Sequence, residues 1–245
     1  MRTMIVTVVL AASGGLFADT NTGLDGPLPT VVVPAALTAC DAHAVAQRIA
    51  RTAGIPLGFE AIATCNSESD PPRLSGTWTF ERKLTPAGED SVTLTGMSVR
   101  KAFDWLIKKA PEYSWREING VAVVRPKDAW LDGTNPLNAR ADRLDGEVRL
   151  EDALNLVLLR QLRGAGNNQF SQRRIAVTFG GGTIAEALSA IAAADRSRGW
   201  DAVMIERPTG FHRTTPVLLV GLRVWNPGEG GGAAYVLDPA NLIAQ

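Results

Sequence analysis

Two histidines, two cysteines and a scatter of carboxylates are the residues that could do chemistry in this chain, and their spacing serves none of the usual reactions. His43 and His212 lie in no HExxH run, so two imidazoles on one helix face, as a zinc hydrolase needs, are not formed. Asp41 and His43 sit two apart on a predicted helix and point to different faces. No serine stands in a Gly-x-Ser-x-Gly elbow. Cys40 and Cys65 have no further Cys or His beside them, which argues against zinc. In an oxidising compartment they are expected to pair as a disulfide; the alternatives are two separate buried thiols or a nucleophilic Cys40. Asp104, Glu112 and Glu117 make a nominal acid–base set, but nothing fixes a carboxylate separation, and Arg116 takes the opposite face of Glu117's strand. Gly180-Gly181-Gly182 ahead of Thr183 offers helix N-terminal N–H groups to an anion. It lacks the Lys-Ser/Thr of a P-loop and a full GxGxxG run, so a turn is the better reading. No catalytic, metal or cofactor residue is assigned, and the expectation is a protein that is not an enzyme and needs no cofactor.

The elements around these residues are better defined than the chemistry. Helical spacing of Ala42, Val45, Ala46, Ile49 and Ala53 predicts a helix from about Asp41 to Thr52, capped by Asp41 and stopped by Gly54 and Pro56. Leu57–Ile62 reads as a strand, and so does the alternating run Thr77–Leu84. Ser91–Thr95 is a strand, Gly96 turns the chain, and Ser98 caps a helix to about Ala110 whose Val99, Ala102, Phe103, Leu106 and Ile107 form one stripe. Tyr113–Ile118, Asn119-Gly120 and Val121–Arg125 read as a two-residue hairpin. Further on, a helix is expected at about Leu150–Leu162, a strand at Arg174–Phe179, a Thr183-capped helix to about Ala194, and strands at Trp200–Glu206 and Pro216–Leu222.

Two of these stretches match in register. Val92-Thr93-Leu94-Thr95-Gly96, Ser98-Val99, Ala102-Phe103, Leu106 and Trp115 recur 85 residues later as Val177-Thr178-Phe179-Gly180-Gly181, Thr183-Ile184, Ala187-Leu188, Ile191 and Trp200. The matched positions turn or pack the chain, so the repeat predicts a scaffold. A shared helix entry, large-x-x-Ala-large, also marks Leu150, Ala153 and Leu154.

The segment VTLTGMSVRKAFDWLIKKAPEYSWREINGVAVVRP resembles the short N-terminal (STN) domain of secretins and TonB-dependent receptors, and a wider set of exported bacterial proteins with that module. The resemblance rests on Leu94, Gly96, Ser98, Val99, Ala102, Phe103, Leu106, Trp115, Asn119, Gly120, Val121, Val123 and Pro126. It implies periplasmic protein–protein contact, as in signalling or secretion assemblies. The second copy lacks the Asn-Gly hairpin, and no long β-barrel follows Leu222, so a complete secretin or receptor is not expected.

Composition agrees with a packed exported protein. Apolar residues make up 45% and charged residues 20%, enough for a core, and a formal net charge of zero leaves no footprint for nucleic acid. Arg2, the apolar Met4–Ala12 and the break at Ser13-Gly14-Gly15 follow signal-peptide order, with cleavage expected near Ala18; a buried strand at Ile5–Leu10 is the alternative. No later run is long and apolar enough to span a membrane as a helix. The expected fold is α+β, built of repeated small βαβ(β) modules whose short sheets are covered by helices on one face. The expected divisions are a signal peptide (1–18), an N-terminal βαβ module with loop (19–85), the STN-like unit (86–130), a linker (131–145), a second α/β module (146–225) and a flexible tail (226–245). The leading expectation is a periplasmic or secreted interaction module that binds envelope proteins through exposed edges beside Val121–Arg125 or Pro216–Leu222. Trp115, Arg116, Val121, Val123 and Arg125 are its expected contact residues. The runner-up is a small-ligand or glycan binder that stacks its ligand on Trp78, Trp130 or Trp225; an enzyme of a type the sequence does not advertise comes third.

Overall fold

Local sequence sets the helix ends. In the computed structural model, which describes residues 23–62, 65, 90–158, 174–195, 198–210, 213–224 and 233–237, α1 (Ala42–Ala53) ends at Gly54. Gly54 takes φ +66°, a left-handed conformation costly for a side chain. α2 (Val99–Lys109) starts at Ser98, whose side chain accepts from the Lys101 N–H. α3 (Leu150–Leu158) follows directly on a strand, and α4 (Ile184–Ala194) starts at a full capping box. There Thr183 Oγ1 accepts from Glu186 N–H, and the Glu186 carboxylate accepts from Thr183 N–H at 2.7 Å. Asp41 holds the N-cap position of α1 but makes no side-chain cap bond there: its carboxylate instead accepts from Thr38 N–H and Oγ1–H, closing a 3-10 turn (Ala39–Asp41) just before the helix.

Twelve strands occur among the described residues: β1 (Val31–Pro34), β2 (Leu57–Ala61), β3 (Ser91–Leu94), β4 (Tyr113–Ile118), β5 (Val121–Pro126), β6 (Arg140–Ala141), β7 (Leu144–Arg149), β8 (Arg174–Phe179), β9 (Gly182–Thr183), β10 (Arg198–Gly210), β11 (Arg213–Val224) and β12 (Ala233–Leu237). Six form a mixed sheet in the order β12-β11-β10-β2-β5-β4. Its centre is parallel, with Trp200 opposite Gly58 and Leu57 opposite Ala122; its flanks are antiparallel hairpins. β1 pairs with β3, β7 with β8 and β6 with β9 in two-stranded ribbons.

A parallel strand covered on both faces must be apolar on both. β5 meets that demand: Ala122 and Val124 join the core that holds α1, α2 and the β1–β3 ribbon, whereas Val121 and Val123 join the core that holds α3, α4 and the β7–β8 ribbon. The sequence reading of helices on one face only is therefore corrected, since helices cover both. The run Val121–Val124, with no alternation, carried that signal. The mixed α+β class stands.

Three segments differ from their sequence reading. Residues 131–145, read as a linker, contribute Leu137, Ala141 and Leu144 to a core. Residues 19–29, whose Asp, Thr, Asn, Gly and Pro content reads as a flexible mature N-terminus, include Leu24 and Leu28, which are buried, and Leu28 N–H bonds to Met97 O. Within the stretch read as a tail, Ala233–Leu237 pairs with β11. The signal-peptide region, the strand expected at 77–84 and the end of the helix expected to Leu162 lie outside the described residues. Cys40 and Cys65 do form a disulfide, with Cα atoms 4.9 Å apart. It ties the turn before α1 to the chain beyond β2, a loop closure that contributes about 3 kcal/mol.

Candidate functional site

Two clusters of buried polar residues stand out among the described residues, one on each face of the central sheet. At the carboxyl ends of β2 and β5, Arg125 Nε–H donates to Glu60 Oε2 at 2.6 Å, with both side chains almost wholly buried. Asn135 Nδ2 donates to the other Glu60 oxygen, and Arg125 Nη1 and Nη2 donate to Asn138 Oδ1 and Ala129 O. The Asn138 amide in turn donates to Ala129 O and Asp132 O. Asp132 Oδ1 accepts from the Thr134 hydroxyl and N–H, which hold its carboxyl below the usual range. Every charge meets a partner, as burial requires. The cluster fastens residues 127–139 onto the sheet.

On the opposite face His43, on α1, meets Asp201, on β10, with Nε2 2.7 Å from Oδ1. Gln47 Nε2 lies 2.9 Å from the same ring nitrogen. One nitrogen cannot donate to Asp201 and accept from Gln47 at once. The short carboxylate contact puts the proton on Nε2, so the Gln47 amide turned with its oxygen towards the ring is the compatible orientation. A carboxylate-oriented imidazole is the arrangement of a general base. Here it is 7% and 3% exposed, and its ring packs 4.6 Å from that of Phe59. Both thiols of the chain are in the disulfide. The pair therefore ties α1 to β10.

The exposed candidate is β4, an edge of the six-stranded sheet whose outer side is unpaired among the described residues. Its side chains alternate. Tyr113, Trp115 and Glu117 face α2: the Trp115 ring packs on Phe103, its Nε1–H donates to Asp104, and Glu117 accepts from Arg100 at 2.6 Å. Arg100 also bonds Asp25, an interaction that lowers the Asp25 pKa. On the other face the exposed Arg116 guanidinium lies over the Trp130 ring, 4.3 Å from its centroid. Arg125 covers the same ring at 5.0 Å, so Trp130 is not the open stacking platform the glycan reading requires. Leu131, next to it, is 88% exposed.

Of the five expected contact residues, the fold brings Trp115 and Arg116 to an edge and removes the other three from solvent. Val121, Val123 and Arg125 are buried because β5 lies between β2 and β4, which occupy both of its hydrogen-bonding sides. Within Pro216–Leu222, residues Leu218–Leu222 are not an open edge either, since β11 pairs there with β10 on one side and β12 on the other. Asp104 and Glu117 are spent on Trp115 and Arg100 and do not converge with Glu112. At the start of α4 the Glu186 carboxylate already occupies the Thr183 N–H, which leaves the glycine run as a turn. Arg174 pairs with Glu147. His212, Trp78, Trp225, Arg160, Arg163 and Arg173 lie outside the described residues.

Sequence reasoning missed Glu60, Asn135, Asn138, Gln47 and Asp201. One signal was available: Glu60 and Arg125 are opposite charges, each at the end of an otherwise apolar strand. No signal linked His43 to Asp201, which are 158 positions apart. Among the described residues no group of three or more His, Cys, Asp or Glu is placed to hold a metal ion. Comparisons with family models, curated proteins and solved structures found no match to this chain.

Proposed function

We propose that this protein is an exported, non-catalytic interaction module that engages an envelope protein by adding a strand to β4. The observation that carries the reading is the outer side of β4, which no strand among the described residues occupies and which offers backbone donors and acceptors to an extended segment. The clusters around Glu60 and His43 favour binding over catalysis, because Glu60 is bonded to Arg125 and Asn135, and His43 to Asp201 and Gln47, within the buried interior. The disulfide is compatible with export, and no helix among the described residues is long and apolar enough to cross a membrane.

The STN-like origin belongs to the same proposal. Its support is the run β3, Gly96, capped α2, then the hairpin β4–Asn119-Gly120–β5, with Asn119 and Gly120 at φ +54° and +76° as that tight turn requires. A duplicated module is supported by the second run, β8, glycine turn, capped α4 and β10, at the same offset.

The test is site-specific photocrosslinking of the full-length protein in its native host. A photoreactive residue replaces Glu117 on the edge strand or, as control, Glu147 on β7. A discrete adduct through position 117 only, in an envelope fraction whose chains begin near Asp19, is the expected result. Uncleaved chains in the cytoplasm would sink the export half of the reading. Equal or no adducts at both positions would sink the docking half.

A further inference from the structure

Three arginines gather around the two tryptophans beside the β4 edge, and their charges are not treated alike. Arg100 is neutralised by Asp25 and Glu117, and Arg125 by Glu60. Arg116 is exposed and makes no ion pair among the described residues; its guanidinium is held over the Trp130 ring. Among the described residues the edge strand therefore carries one uncompensated, pre-positioned cation near its middle. A guanidinium held on an aromatic face loses less side-chain freedom when it binds a carboxylate.

In the twofold register centred on it, the same residue disfavours a second copy of the chain. Two β4 strands pairing antiparallel about a twofold axis, in the register that uses Ser114 to Ile118 throughout, place Arg116 directly opposite Arg116, and like charges so placed repel. Carboxylates on a different protein would meet that cation without the conflict.

Resting on the strand-addition reading above, we infer that the partner segment is extended and acidic, with an Asp or Glu directly across from Arg116. The opposite face of the edge makes no such demand, because Glu117 is already satisfied by Arg100. Specificity thus lies on alternate residues of the partner, those sharing the Arg116 face.

Selection from a displayed library of random heptapeptides, on the oxidised full-length protein, tests this. Hydrogen exchange of the β4 amides then shows where the selected peptides sit. The expected result is protection of β4 by peptides enriched in Asp or Glu at one position of the alternating set, with affinity roughly threefold to fivefold higher than the same peptides bearing Gln there. Arg116→Glu should shift the enrichment to Lys or Arg, and Arg116→Gln, a control for folding, should abolish the charge preference while still binding at β4. Peptides that protect β4 with no acidic enrichment would overturn the inference and leave strand addition standing. Peptides that protect some other element, or no selected peptides at all, would overturn both.

Discussion

Trp115 and Trp200 occupy equivalent places in two segments whose sequences match at an offset of 85 residues, yet they meet different surroundings. Each follows a capped helix and lies in the strand after it. Trp200 is fully buried at the centre of the sheet, its Nε1–H on Ser189 Oγ and its indole against Gly58, where even a Cβ would collide with the ring. Trp115 is half-buried on the sheet edge, with one ring face on Phe103. The difference comes from sheet order: β10 has β2 and β11 on its two sides, while β4 has only β5 among the described residues. One local pattern therefore makes a core anchor in one place and a half-buried edge residue in the other.

The largest expected effects contrast the two rings. Trp200→Ala should destabilise the oxidised protein by about 4 kcal/mol in urea unfolding, and Trp115→Ala by about 1–2 kcal/mol. Equal losses would mean that edge and centre do not set the burial energies. Gly58→Ala should cost about 1–3 kcal/mol by overpacking, and most of that cost should vanish in a Trp200→Leu background.

The arginines of β4 and β5 sharpen the same contrast. Arg125→Met leaves the Glu60 carboxylate buried without its cation and should cost about 3–5 kcal/mol; the double replacement Arg125→Met, Glu60→Leu should recover much of it. Arg116→Ala should cost less than about 1 kcal/mol, because it loses only a cation–π contact at the surface. A large loss at Arg116 would show that it serves stability rather than binding.

A titration separates the two segments further. Burial pushes the Tyr113 phenol up to about 12 from its ordinary 10.0, and the residue 85 positions on is Arg198, which has no phenol. The folded state thus favours the protonated phenol. Its contribution is intact below pH 10 and is lost as pH rises from about 10 to about 12, because the unfolded chain releases that proton first. Tyr113→Phe should flatten that stretch of the stability–pH curve, by about 2–3 kcal/mol. The two caps differ more modestly. Thr183→Ala should cost about 1–2 kcal/mol and Ser98→Ala about 1 kcal/mol or less, since only Thr183 has a glutamate completing the box. Reversed costs would show that the second hydrogen bond adds nothing.

Much of the local structure was legible from sequence. Helix spacing, the Ser98 and Thr183 caps, the Gly54 stop and the Asn119-Gly120 turn depend on contacts within a few residues, so composition and spacing specify them. The disulfide was legible as an expectation, and its geometry required folding to bring Cys40 and Cys65 together. Strand order was not legible, and with it went half of the contact surface. Val121, Val123 and Arg125 read as one side of an exposed hairpin until β2 is placed beside β5. Likewise Glu60 met Arg125, and His43 met Asp201, only through parallel pairing that joins distant parts of the chain. Such pairings are chosen by the summed burial of whole faces, a property of no single segment, so the sequence by itself determined which elements form and the tertiary structure decided which of their residues meet water.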